Sequence, residues 1–444
     1  MSNLSIDGER LLARLRALGE LGRGADGKLT RLAASAADKL GRDQFVQWAK
    51  ALGLDVRVDR IGNIFALWTE ATDPKAAPLM LGSHIDTVID AGIYDGCYGV
   101  LAGLEVVETL REAGFTPCRP IVIAAFTNEE GVRYAPDMMG SLVYSGGLAA
   151  DAALAVKGAD GSVLGEELAR IGYAGAEEPG FLKPDAYIEL HIEQGPVLER
   201  EGLAIGAVEN LQGISWQRIT IEGVANHAGT TPMALRHDAG HAAARIIAFL
   251  HERASASPSG TVATVGTIAF EPNAINVIPA RATFTVDLRD PNEECLAAEE
   301  QALAEYLKQI AQEQGVAISA ERLARFAPVT FDAKLVAEIE SAADARGLSA
   351  RAMTSGAGHD AQMIARIAPA AMIFVPSIGG ISHNPKEFTP ETDLVAGANV
   401  LLDVVKRLAS PRACGHCRPA PPSSPCCASA ASCASAACET PPAA

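Results

Sequence analysis

The sequence predicts an α/β protein, a mostly parallel, helix-covered sheet interrupted by an inserted α+β module, and three observations lead there. Short apolar runs at 78–81, 121–126 and 371–375 read as buried strands and alternate with helical periods, the pattern of a sheet covered by helices. Each run leads into a Gly-containing segment rich in His, Asp or Glu, and open α/β sheets carry their sites beyond the C-terminal ends of their strands. Between about residues 212 and 328 the texture changes to β-α-β-β-α-β, after which the first pattern resumes.

In chain order, Leu11, Leu15 and Leu18 space one apolar face of an amphipathic helix, not the core of a signal peptide. Residues 43–52 are expected to be helical, and 54–59 alternate apolar and charged side chains before the Gly62-Asn63 turn. The run Pro78–Leu81 delivers Gly82-Ser83-His84-Ile85-Asp86-Thr87, followed by Asp95-Gly96-Cys97. Apolar residues at 100, 101, 104, 107 and 110 make a helix face closed by Gly114. The strand Ile121–Phe126 ends in Asn128-Glu129-Glu130-Gly131, and Ala186–Leu190 ends in His191. Between these, residues 150–184 hold one helix near 164–171.

The inserted module reads as strand 214–224, helix 234–253, strands 261–270 and 281–289, helix 293–314 and strand 316–321. That order is ferredoxin-like. Helix 335–346 and strand 371–375, ending at Ser382-His383, resume the first pattern. A discontinuous domain of 1–211 plus 329–409, an inserted domain of 212–328 and a Pro-, Ala- and Cys-rich tail at 410–444 are therefore expected, the tail disordered for want of apolar surface.

Composition removes several function classes. A formal net charge of −17 repels phosphate backbones, so nucleic acid is not an expected partner. No apolar run approaches the roughly 18 residues of a membrane span, and a cytoplasmic location is expected. Only Cys97, Cys118 and Cys295 precede the tail, which predicts no disulfide framework.

His84 with Asp95, Glu129-Glu130, His191 and His383 thus stand at separate strand ends. Three histidines and two carboxylates suit two divalent ions about 3.5 Å apart that share a carboxylate bridge. Asp95, in a Gly-flanked turn, is the natural bridge. Of Glu129 and Glu130, one carboxylate coordinates and the other accepts a water's proton and passes it to a leaving nitrogen. Ions so held polarise a carbonyl and acidify water, which a ureido or amide carbonyl needs. N/O ligation admits zinc, manganese, cobalt or nickel.

With those segments, Tyr94–Val100, Asn128–Arg133, His191–Glu199, His227–Met233, Pro272–Pro279, Ser355–Ala361 and Ser382–Asn384 resemble the bimetal amidohydrolases. That family includes N-carbamoyl-L-amino acid hydrolases, allantoate amidohydrolases and β-ureidopropionases, and it is related to zinc aminopeptidases and aminoacylases. The resemblance spans about residues 5–408. It implies a zinc-exopeptidase-like catalytic domain with a ferredoxin-like lid and dimerisation domain. The implied metal ligands are His84, Asp95 and His191 for one ion and Asp95, Glu130 and His383 for the other. Asp86 would orient His84, Glu129 would be the general base and then acid, and the peptide bond after Asp95 would be cis.

The resemblance further implies that Arg289 clamps a substrate carboxylate, although an Arg between Leu288 and Asp290 reads by itself as a surface ion pair. Gln194 and Asn276 would hydrogen-bond the substrate, with Gly358 giving a backbone contact. His227 would act in trans, stabilising an oxyanion in the neighbouring subunit of a homodimer. The expected reaction is hydrolysis of the carbamoyl group of an N-carbamoyl-L-amino acid to amino acid, ammonia and carbon dioxide. Allantoate and N-carbamoyl-β-alanine are the rival ureido carboxylic acids, and aminoacylase or dipeptidase activity is the more distant alternative.

Overall fold

A computed structural model describes residues 4–410; the expected tail lies almost wholly outside them. The chain first forms β1 (Asp55–Val58), β2 (Ile64–Trp68), β3 (Leu79–His84), β4 (Ile121–Phe126), β5 (Ala186–Ile192) and β6 (Ile205–Leu211). It continues with β7 (Gly213–Glu222), β8 (Val262–Thr264), β9 (Ile268–Glu271), β10 (Arg281–Asp290) and β11 (Ala317–Phe326). The last strands are β12 (Val329–Thr330), β13 (Ala350–Ser355) and β14 (Ala370–Val375).

Nine strands build one sheet in the order β1-β2-β4-β3-β5-β14-β6-β12, with β13 beside β6. Its centre, β4-β3-β5-β14, is parallel, whereas β1, β2 and β12 pair antiparallel. The central strands are buried along their whole length, which is why β4 and β14 are continuous apolar runs and not alternating ones. Helices Gly8–Glu20, Cys97–Glu112 and Glu391–Leu408 contribute buried faces to the same core. Their termini follow local chemistry: Asp7 caps the first helix by accepting from the Arg10 N–H, and Ser35 caps Ala36–Ala51 by accepting from the Asp38 N–H.

Gly82 is required by close approach. A Cβ there would lie 2.2 Å from the Ala124 carbonyl oxygen of the adjacent strand, and backbone cannot yield as a side chain can. Gly82→Ala is expected to push β3 away from β4 and to lower stability by ~1–3 kcal/mol, read as a reduced urea midpoint at unchanged slope.

The second sheet, β11-β7-β10-β8 with β9 also on β10, is antiparallel. Helices Ala239–Ala256 and Glu293–Gln314 pack on it around Ile219, Phe284 and Leu303. The single strand expected at 261–270 is broken into β8 and β9. Between them the backbone N–H and hydroxyl of Thr267 bond the Thr285 hydroxyl, so a side chain replaces a rung of the ladder.

Cys97 and Cys295 are free thiols. The Cys118 N–H bonds the Ala409 carbonyl. Among the described residues no helix is long and apolar enough to cross a membrane.

Candidate metal centre

The parallel strands deliver the cluster. His84 ends β3, His191 lies near the end of β5, and Glu129-Glu130 follow β4. Asp95 enters from the turn before helix Cys97–Glu112, and His383 from the loop after β14. The Asp95 Oδ1 lies 3.1 Å from His191 Nε2 and 3.5 Å from His84 Nε2, while its Oδ2 lies 3.3 Å from His383 Nε2. Glu130 Oε2 is 3.3 Å from the same His383 nitrogen, and Glu129 Oε2 is 3.3 Å from His84 Nε2. Two ligand groups share Asp95, His84/Asp95/His191 and Asp95/Glu130/His383, and a third, Glu189/His191/His359, lies behind His191; the candidate atoms of each are within 4.8 Å of one another.

The tautomers suit a cation. His84 Nδ1 faces the Asp86 carbonyl at 3.0 Å and His191 Nδ1 faces the Ile192 carbonyl at 2.8 Å. A carbonyl only accepts, so each Nδ1 carries the proton and each Nε2 keeps a lone pair directed at Asp95. The Gly96 N–H donates to His191 Nε2 at 3.0 Å, which agrees.

The electrostatics fit as well. Burial alone would raise the Asp95 pKa, but the His191, His383 and His84 side chains around it outweigh burial and hold the carboxyl well below its usual range. Burial pushes Glu129 well up, and burial together with Asp95 lifts Glu130 to about 8. Glu130 Oε1 is buried without a hydrogen-bond partner. Carboxylates crowded together beside imidazole nitrogens, most of them buried, are what a divalent cation relieves.

Two expectations need correction. The Asp86 carboxylate does not bond His84: its Oδ1 is 3.9 Å from Nδ1, and the backbone carbonyl of Asp86 holds the ring instead. The carboxylate is engaged elsewhere, accepting from the Glu129 N–H at 3.2 Å and the Glu130 N–H at 3.3 Å, so it seats the backbone of the Glu pair. Nor is the bond after Asp95 cis; among the described residues the cis bonds are Ala135-Pro136 and Glu271-Pro272. The turn is made instead by Gly96 at φ 63. A Cβ at Gly96 would lie 2.4 Å from the His84 ring, so this glycine also makes room for the imidazole.

A cavity of about 220 Å³ lies between the cluster and the second sheet, with Asp95, Glu129, Glu130 and His383 on one wall and Trp216 and Arg289 on the other. Gly358 also lines it. Arg289 is an ion-pair partner, as its sequence context reads: Nε and one terminal nitrogen bond Asp287 at 2.9–3.1 Å, and the other terminal nitrogen bonds the Gly356 carbonyl at 2.8 Å. Of its five N–H donors, three are thereby engaged and two remain. Gln194 donates its amide to Asp95 Oδ2 at 2.8 Å, and its Oε1 is buried without a partner.

His227 and Asn276 are not brought to the cavity of their own chain. Both are exposed and adjoin each other through the Ala228 N–H to Asn276 carbonyl bond of 3.0 Å. Sequence reasoning missed two groups. Ser382 donates to Asp95 Oδ2 at 3.2 Å, and Glu387 accepts from the Tyr94 and Asp95 N–H groups at 3.0 and 3.3 Å. Ser382 stood inside the Ser382-His383 motif, whereas nothing local marks Glu387. Burial and the nearby Asp95 lift the Glu387 pKa to about 7.

The fold and this cluster define a class: α/β proteins whose parallel strand ends gather a buried His/Asp/Glu group compatible with a divalent metal. Within that class the chain belongs to the peptidase family M20/M25/M40, whose family model matches residues 80–407. It is 41% identical over 403 residues to the N-carbamoyl-L-amino-acid amidohydrolase of Rhizobium meliloti, covering 91% of this chain and 97% of that one. It is 36% identical over 394 residues to the allantoate amidohydrolase of Bacillus subtilis, covering 88% and 95%. A hydantoinase/carbamoylase family amidase from Burkholderia multivorans superposes with a TM-score of 0.88 at 42% identity, covering 91% of this chain and 98% of that one.

Proposed function

We propose that this protein is a metal-dependent amidohydrolase that removes the carbamoyl group from an N-carbamoyl-L-amino acid. One observation carries the reading: the Asp95 carboxylate stands between two ligand groups, with Glu129 beside it and Arg289 across the cavity. The names of the relatives, N-carbamoyl-L-amino-acid amidohydrolase above all, favour a ureido substrate. In this reading His84, Asp95 and His191 hold one divalent ion and Asp95, Glu130 and His383 a second, zinc, manganese, cobalt or nickel. Bound there, the ions polarise the ureido carbonyl and acidify a water.

The chain's own residues do the rest. Glu129 accepts a proton from the attacking water at its carboxylate and returns it to the leaving nitrogen. The water oxygen adds to the ureido carbon, the bond from that carbon to the amino acid's nitrogen then breaks as this nitrogen takes the proton, and the carbamate released decomposes to carbon dioxide and ammonia. The two remaining N–H donors of Arg289 take the substrate carboxylate, a match of planar fork to planar acceptor. Gln194 Oε1, buried and unpartnered, accepts a substrate N–H, and Gly358 offers backbone.

His227 and Asn276, exposed and away from their own cavity, serve the site of a second copy in a cytoplasmic homodimer. Residues 212–328 form the lid and dimerisation domain on the 1–211 plus 329–409 catalytic domain.

Allantoate is the second reading, favoured by the relative of that name in Bacillus subtilis. Stripping the protein with a chelator is expected to abolish ammonia release, and adding back Zn²⁺, Mn²⁺, Co²⁺ or Ni²⁺ to restore it. The reconstituted enzyme is then offered N-carbamoyl-L-amino acids, allantoate, N-carbamoyl-β-alanine and N-acetyl amino acids. Preferred turnover of the first group is expected. Turnover of N-acetyl amino acids or dipeptides alone would make it an aminoacylase or dipeptidase, and no ureido turnover with any metal would remove the proposal.

A further inference from the structure

A second and larger cavity, of about 570 Å³, adjoins the one at the cluster and shares Gln194, Arg289 and Ala357 with it. We propose that it holds the side chain of the substrate and selects a large, uncharged one. This rests on the reading of the protein as a hydrolase of N-carbamoyl amino acids. In such a molecule the carboxylate, the ureido nitrogen and the side chain leave the same carbon. With the carboxylate at Arg289 and the ureido group at the cluster, the third substituent faces the space beyond Arg289. That volume falls within the ~300–1,000 Å³ of small-molecule sites.

The lining sets the class of side chain. From the large sheet come Met353 of β13 and Phe374 of β14, both buried, which make an apolar floor. From the second sheet comes β8, whose Val262 pairs directly with Arg289 and whose Thr264 pairs with Asp287. Directly paired residues of an antiparallel ladder share a face, so Val262 stands beside the carboxylate anchor.

The charges are already engaged. Glu193 accepts from the Val197 and Leu198 N–H groups at 2.7 and 2.8 Å, and Asp287 is paired with Arg289. Among the described residues the one cation lining the cavity is Arg289, which leaves nothing to pair an acidic side chain. An aliphatic or aromatic side chain loses water against Met353, Phe374 and Val262 at no electrostatic cost.

The test compares kcat/KM for N-carbamoyl derivatives of glycine, L-methionine, L-phenylalanine and L-glutamate, using the metal-loaded enzyme, Val262→Trp and Met353→Ala. Val262 is 47% exposed on a short edge strand, so the larger side chain can be accommodated without breaking the core. Wild type is expected to favour methionine and phenylalanine over glycine and glutamate. Val262→Trp should lower the phenylalanine-to-glycine ratio by about 10-fold or more, the scale on which one misfitting group discriminates in an apolar pocket, and Met353→Ala should raise it.

If Met353→Ala does not fold, Val262→Trp decides. A ratio unmoved by the variants that fold overturns the inference while leaving the hydrolase reading intact, and glutamate cleaved as well as phenylalanine overturns the requirement for an uncharged side chain. A wild type inert to every N-carbamoyl amino acid removes both.

Discussion

Glu129→Gln is expected to lower kcat by about 10²–10⁴-fold while the protein keeps its full complement of metal. The substitution preserves shape and removes the only function asked of that carboxylate, accepting and returning a proton. Glu129 Oε2 lies beside His84 Nε2, whereas Glu130 Oε2 lies beside His383 Nε2. The neighbouring carboxylate is therefore aimed at a different group and cannot substitute. Its own variant separates the two roles: Glu130→Gln should lose bound metal, seen as a fall in ions per subunit by elemental analysis. Unchanged kcat in Glu129→Gln, or metal loss in that variant and not in Glu130→Gln, would reverse or remove the assignment.

Asp95→Asn is expected to be more damaging, because Asp95 is the one residue common to both ligand groups. Its two oxygens face different histidines, and an amide keeps one oxygen while turning N–H donors toward an imidazole lone pair. Metal affinity should fall by more than the ~10–100-fold seen when outer partners of metal ligands are lost, and ammonia release should fall with it. A readout independent of activity is thermal unfolding. Metal at about 100 times its Kd should stabilise wild type by ~2.7 kcal/mol, and the same addition should leave Asp95→Asn nearly unmoved. Retention of two ions per subunit in the variant would exclude Asp95 as the bridge.

Much of the site was legible in the sequence because the parallel sheet makes strand ends meet. A buried strand is a continuous apolar run, and whatever follows it is carried to one edge; His84, the Glu129-Glu130 pair and His383 could be gathered on that basis, with His191 closing β5. The helix at 164–171 and the alternation of the inserted module were equally visible. Strand β2, Ile64–Trp68, went unread although its five residues are all buried, since a short apolar run after a turn carries no period to distinguish strand from helix. The break between β8 and β9 was invisible because it depends on the partner Thr285, 18 residues from Thr267.

Asp86 shows where local reading stops. A carboxylate two residues after a ligand His reads as its orienting partner, but that depends on which acceptor lies nearer the ring, and the backbone carbonyl does. Glu387 likewise reaches Asp95 from 292 residues away, a relation with no trace in spacing.

By itself the chain determined the class of fold and the identities of the candidate ligands, because apolar period and residue chemistry are properties of short segments. Only the tertiary structure decided which oxygen faces which imidazole, that Asp86 seats the glutamate pair, and that a second cavity opens beyond Arg289. Those are matters of tenths of an ångström between segments that meet only once the core has closed, and hydrogen bonding and packing at that range set the chemistry.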